Sequence, residues 1–107
     1  MSELQAKVSP AFRAFLTEAP EQAEAWMTTV RALDETSALD PKTEALAYLA
    51  VLAVQRLEGG IALHTTLAKH AGATRDEVIS AVLVGLPAAG NVVTQVLPAV
   101  LAAYDAE

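Results

Sequence analysis

A chain of 107 residues with thirteen acids, seven bases and a net charge of −6 is one domain, ill suited to nucleic acid or an anionic membrane surface. With 53% hydrophobic but only 5% aromatic residues, its core must be Ala, Val and Leu, which favours closely packed helices over a sheet. The absence of cysteine excludes disulfides, thiolate metal sites and any thiol nucleophile.

The opening residues, Met1 to Lys7, hold no apolar segment that could serve as a signal peptide, so the expected compartment is cytoplasmic. Ser9 before Pro10 reads as a cap followed by a first-turn proline, opening a helix to about Thr17 with Phe12, Phe15 and Leu16 as its apolar contacts. A second helix, over residues 20–34, places Ala23, Trp26, Met27, Val30 and Leu33 on one stripe. On that periodicity Trp26 and Met27 are core residues. Asp40 before Pro41 caps a third helix, expected through Leu57 and stopped by Gly59 and Gly60. Its residues from Leu46 to Val54 leave almost no polar face, so it should be central and surrounded.

After Gly60 a helix runs to Ala71, with Ile61, His64, Leu67, Ala68 and Ala71 on one side and Lys69 and His70 turned away. Gly72 ends it. Thr74 and Glu77 form a capping box for the next helix. That helix carries Val78, Ile79, Val82, Leu83 and Leu86 up to a break at Pro87, and a last helix over 91–104 should kink at Pro98.

From Val78 to Tyr104 there is no charged residue, longer than the ~20 residues a bilayer span needs. Gly85, Pro87, Gly90 and Pro98 break the run, and acids rather than bases follow it, so two buried helices and no membrane are expected. A single small bundle cannot hide both this segment and the third helix from water. The surplus predicts a large interface with copies of the same chain.

Leu39, Asp40, Pro41, Lys42 and Thr43, an apolar helix, a histidine, then Ala71, Gly72, Ala73 and Thr74 followed by acids and Val78 resemble the carboxymuconolactone decarboxylase family, which includes the alkylhydroperoxidase D-like (AhpD-like) proteins. The resemblance is strongest over residues 39–104. It implies an all-α AhpD-like bundle of about six helices, built around an antiparallel helical hairpin and assembled as a homotrimer or homohexamer. The redox branch of that family carries a glutamate, a Cys-x-x-Cys pair and a histidine. Aligned on Gly72, the histidine falls on His64, the cysteines on Leu57 and Gly60, and the glutamate on Ala45. Peroxide reduction by that branch needs a thiolate and a resolving thiol, which Leu57 and Gly60 cannot supply. The decarboxylase branch uses no cysteine, and the resemblance then implies acid/base chemistry on a small organic acid or lactone.

His64 is the candidate proton donor and acceptor, an imidazole titrating near neutrality. On an apolar helix face it is equally a packed histidine bonded to a backbone carbonyl. Glu44, one residue or about 100° of helix from the family's glutamate position, is a further catalytic candidate and otherwise a first-turn acid favoured by the helix dipole. Glu58 could face His64 across the turn or sit solvated at a helix end. Arg56, Tyr48 and Asn91 are candidate substrate contacts, with core packing the competing reading of Tyr48 and helix capping that of Asn91. His70 reads as exposed near a helix C-terminus. Two histidines on different faces with no carboxylate pair nearby lack metal-ligand spacing, so neither metal nor cofactor is expected. A non-catalytic oligomeric binding or structural relative is the alternative.

Overall fold

The structure, a computed structural model, describes residues 3–106. Among these it is all-α, without a strand. A single turn, α1 (Glu3–Ala6), leads to α2 (Pro10–Glu18) and α3 (Pro20–Thr36). Next come α4 (Pro41–Gln55), a 3₁₀ turn (Glu58–Gly60) and α5 (Ile61–His70), the two arms of the hairpin. The chain closes with α6 (Arg75–Leu83), the short α7 (Leu86–Ala89), a 3₁₀ segment (Gly90–Val96) and α8 (Leu97–Asp105). Helix starts follow the side chains that can satisfy free N–H groups. Ser9 Oγ accepts from the Phe12 amide at 3.1 Å and Asp40 Oδ1 from the Thr43 amide at 2.8 Å. Thr74 and Glu77 cap each other's backbone in the expected box.

The end of α4 departs from expectation. The helix stops at Gln55, not Leu57, because Arg56 itself turns left-handed, at φ 56° and ψ 38°. The Leu57 amide then reaches back to the Leu52 carbonyl at 3.0 Å, the bond that defines a Schellman ending. The same geometry closes α5, where Gly72 has φ 98° and the Ala73 amide bonds to Ala68 at 3.0 Å. At the end of α4 an arginine stands where a glycine usually does.

Leu49, Leu52 and Ala53 of α4 pack with Ile61, Ala68, Val78, Val82, Val93, Val96 and Val100 into one core. Only that face of α4 is covered. Tyr48, Val51 and Val54 are about half exposed, so the helix is not surrounded within one chain. Its apolar residues form two stripes, and the domain has elements enough to cover one.

The buried face of α5 is also turned from the expected one. Ile61, Thr65 and Ala68 are sealed, with Thr66 beside them, while His64 is half-buried and Leu67 partly exposed. Helix α5 packs mainly on α8 and α4. The Thr66 hydroxyl donates to the Ala62 carbonyl and accepts from Lys7 Nζ at 2.8 Å. Lys69 is not turned away either: its ammonium donates to the Tyr104 carbonyl at 2.7 Å and lies 4.7 Å from that ring's centroid. Tyr104 in turn donates to the Ala73 carbonyl at 2.8 Å, and Arg75 holds Asp105 through two bonds of 3.0 Å. Together these pin α8 onto the α5–α6 turn.

By length and composition 75–105 would pass for a bilayer span. It is divided into three helices and a 3₁₀ segment, and Val78, Val82, Val93, Val96 and Val100 face the chain's own core. The break before α7 falls at Val84 and Gly85, while Pro87 lies in the first turn of α7, where a missing N–H is harmless. Pro98 likewise opens α8 and does not kink a longer helix. The residues before it are wound as 3₁₀.

Helix α3 packs chiefly on α2, and Ala23 is its one buried residue. Trp26 is 54% exposed and Met27 only partly covered, so the stripe is not core. Helical periodicity locates an apolar face without saying what covers it. In this chain most of that face looks toward a hollow.

Candidate functional site

The hairpin turn fixes two rings against each other. Gly60 lies so close to Leu52 that a Cβ on it would be 3.5 Å from either Leu52 methyl group. One helical turn before Leu52 is Tyr48, and one turn after Gly60 is His64. Antiparallel arms joined this tightly therefore bring those side chains together. Their ring centroids are 4.2 Å apart, with planes 23° from parallel. Tyr48 is thus a surface ring against the histidine, not a core residue.

His64 is half-buried, and its imidazole makes no hydrogen bond among the described residues. It has neither the backbone carbonyl of a packing histidine nor the carboxylate or guanidinium of a catalytic relay. Burial holds its pKa below the ordinary value of about 6.5. At neutral pH the ring is therefore uncharged, with one nitrogen to donate and one to accept.

Both rings open onto a cavity of about 300 Å³. Trp26, Met27 and Val30 of α3 form one wall; Val8, Ser9 and Phe12, at the start of α2, form another. The floor is the hairpin itself, through Gly59, Gly60 and Leu63. Gly59 is needed here for close approach, since a Cβ on it would meet that of Ser9 at 3.2 Å. Among the described residues no charged side chain lines the cavity. Its polar groups are the His64 imidazole, the Tyr48 hydroxyl, the Trp26 indole N–H and Ser9, whose hydroxyl already caps α2.

The other candidates lie outside this lining. Glu44 shares a hydrogen bond with Asp34 at the α3–α4 corner, which raises its pKa; one turn of α4 separates it from Tyr48. Arg56 and Glu58 are exposed at the hairpin turn. Asn91 accepts from the Thr94 hydroxyl at 3.0 Å within the 3₁₀ segment. His70 is exposed at the end of α5. Among the described residues no group of three or more acids and histidines could hold a metal ion.

A larger hollow of about 670 Å³ lies elsewhere, as an open groove between α4 and α6. Small residues line it, among them Ala47, Ala50, Ser80 and Ala81. Its Glu77 is already committed, to the Thr74 cap and to Lys42 at 2.8 Å. Size alone would favour the groove, but it offers no free acid/base pair and no enclosure. The histidine cavity has both a titratable group and walls.

Periodicity places Trp26, Met27 and Val30 on one stripe and reads the first two as core. The usable signal was an aromatic and a methionine on a helix otherwise rich in acids, with few neighbours to bury them. Comparison with curated proteins and with solved structures returns no match. The family model for the carboxymuconolactone decarboxylase family matches residues 20–103, from the start of α3 almost to the end of α8.

Proposed function

The chain belongs to the carboxymuconolactone decarboxylase family, and we propose that it is a cysteine-free member whose small-molecule site is the cavity at the α4–α5 hairpin. His64 serves there as proton donor and acceptor in decarboxylase- or lactone-type chemistry. The observation that supports this is a neutral imidazole, free of hydrogen bonds among the described residues, stacked on Tyr48 and facing an apolar cavity. A neutral imidazole can take a proton from water and deliver it to the carbon that keeps the bond pair as CO₂ leaves, or take one from the water that attacks a lactone and pass it to the departing ring oxygen. Thiol-dependent peroxide reduction has no nucleophile in a chain without cysteine. The alternative is binding without turnover, and the lack of a carboxylate or guanidinium beside His64 favours it.

A panel of small lactones and their ring-opened acids, with His64→Ala beside the wild type, tests the reading. Turnover lost in the variant at unchanged melting temperature supports acid/base chemistry. Binding lost, with no turnover in either protein, supports the alternative. Wild-type binding and turnover in the variant would remove His64 from the site.

The second apolar stripe of α4, Ala47, Val51 and Val54, adjoins the open groove and is left to solvent. A trimer or hexamer of this chain in the cytoplasm would cover it, and self-association is part of the same proposal.

A further inference from the structure

The start of the chain walls the His64 cavity with Val8, Ser9 and Phe12, all of which precede residues 20–103, the stretch that the family model matches. What this wall contributes is therefore not set by the family pattern. It brings a cation close. Lys7, next to Val8 and only partly exposed, donates from Nζ to the Thr66 hydroxyl at 2.8 Å. Leu63, which lines the cavity, lies one turn before Thr66 on the same side of α5, so the ammonium rests at the cavity's edge. That hydroxyl is the ammonium's one partner among the described residues. A neutral acceptor leaves such a group open to exchange, since a carboxylate would hold it roughly twice as strongly. The flexible stem of a lysine lets the charge move, and Thr66 would keep its own bond to the Ala62 carbonyl at 3.0 Å. Of the arginines near the lining in sequence, Arg13 donates to the Ala6 carbonyl at 3.1 Å and Arg56 is exposed at the end of α4.

We propose that Lys7 is the residue that holds the carboxylate of an acid entering the His64 cavity. Its ammonium leaves the Thr66 hydroxyl, turns into the cavity beside Val8 and pairs with the acid, whose remainder packs on the apolar side chains of Phe12, Met27 and Val30. This rests on the reading of the cavity as the functional site. To that reading it adds a binding residue from outside the family-matched stretch, and the counter-charge that the lining lacks among the described residues.

Cyclohexanecarboxylate and cyclohexanecarboxamide are matched in size and differ in charge. Trp26 lines the cavity and is the only tryptophan of the chain, so its fluorescence reports occupancy. The wild type should bind the acid roughly tenfold more tightly than the amide, and added sodium chloride should weaken the acid alone. Lys7→Met should lower acid affinity by roughly tenfold and leave the amide unchanged. Thr66→Val breaks the same hydrogen bond but keeps the charge, and should hold the acid at least as tightly as the wild type. An equal loss of acid binding in both variants would make Lys7 a tie that seats the wall, and would overturn the proposal. So would a loss of acid and amide alike in Lys7→Met. A wild type that binds the amide as tightly as the acid would overturn the proposal and leave the cavity standing as a site. Binding of neither probe would overturn it together with the cavity reading beneath it.

Discussion

Tyr48 and His64 lie ring on ring, 4.2 Å apart, on opposite arms of one helical hairpin. Burial lowers the histidine's pKa, and the tyrosine ring supplies part of that cover. Tyr48→Ala should therefore move the His64 pKa upward, toward about 6.5. An NMR titration of the imidazole C–H resonances measures this. An unchanged or lower value would mean that the cover comes from elsewhere.

The same depressed pKa predicts how stability varies with pH. The folded imidazole stays neutral where the unfolded one takes a proton, so the unfolded state binds more protons below about pH 6.5. Stability is full above that value and falls as pH drops through it toward the lowered folded pKa. Asp40, Glu77 and Asp105, whose pKa values are lowered by their hydrogen bonds, lose their contribution only in a separate window, below about pH 4.5. Urea midpoints at about pH 7.5 and about pH 5.5 should fall in the wild type and fall less in His64→Gln.

Arg56 occupies a left-handed position that glycine takes without strain, whereas other residues pay about 1 kcal/mol or more in it. Glycine's greater freedom in the unfolded chain offsets part of the gain. Arg56→Gly should stabilise the protein by about 0.5–1 kcal/mol, measured by urea unfolding. A loss of stability would show that the arginine side chain holds contacts worth more than the strain.

Thr65 Oγ1 is buried with no hydrogen-bond partner among the described residues. Replacing that hydroxyl by a methyl of similar volume removes an unsatisfied polar atom and leaves the packing in place. Thr65→Val should raise stability by about 1 kcal/mol, read from the denaturant midpoint. A decrease would indicate that the hydroxyl has a bound partner, such as water.

Self-association through the outward stripe of α4 predicts that Val51→Asp lowers the sedimenting mass without altering helix content. Val51 is 56% exposed in the single chain, so the substitution does not touch the core. A wild-type protein that sediments as a monomer at micromolar concentration would overturn this part of the proposal.

Local chemistry was legible in the sequence wherever a single residue decides the backbone. Ser9, Asp40 and Thr74 cap their helices as expected, and Gly72 ends α5. The stop of α4 was misplaced because Gly59 and Gly60 suggested it, while the residue that turns left-handed is Arg56. Neither glycine has positive φ; the small size of Gly59 lets the hairpin close on Ser9. Pro87 suggests a break and Pro98 a kink, but both lie in the first turn of a helix, a choice made by the backbone before each proline. Packing was less legible. One apolar stripe on α4 looks the same whether a neighbour covers it or not, and the two buried threonines of α5 carry no hydrophobic signal. The helical position of His64 is legible, but nothing in the sequence marks Tyr48 as its stacking partner. The α3 wall was invisible as a site, since nothing local tells a core tryptophan from one lining a hollow.

Helix α3 packs chiefly on α2 and buries only Ala23, so the N-terminal arm meets the hairpin mainly across the cavity. The two parts should then open as separate cooperative units, the arm at lower free energy than the core. A ligand lodged in that seam would be mortar between them. Its binding would show first as slower amide hydrogen exchange along α3.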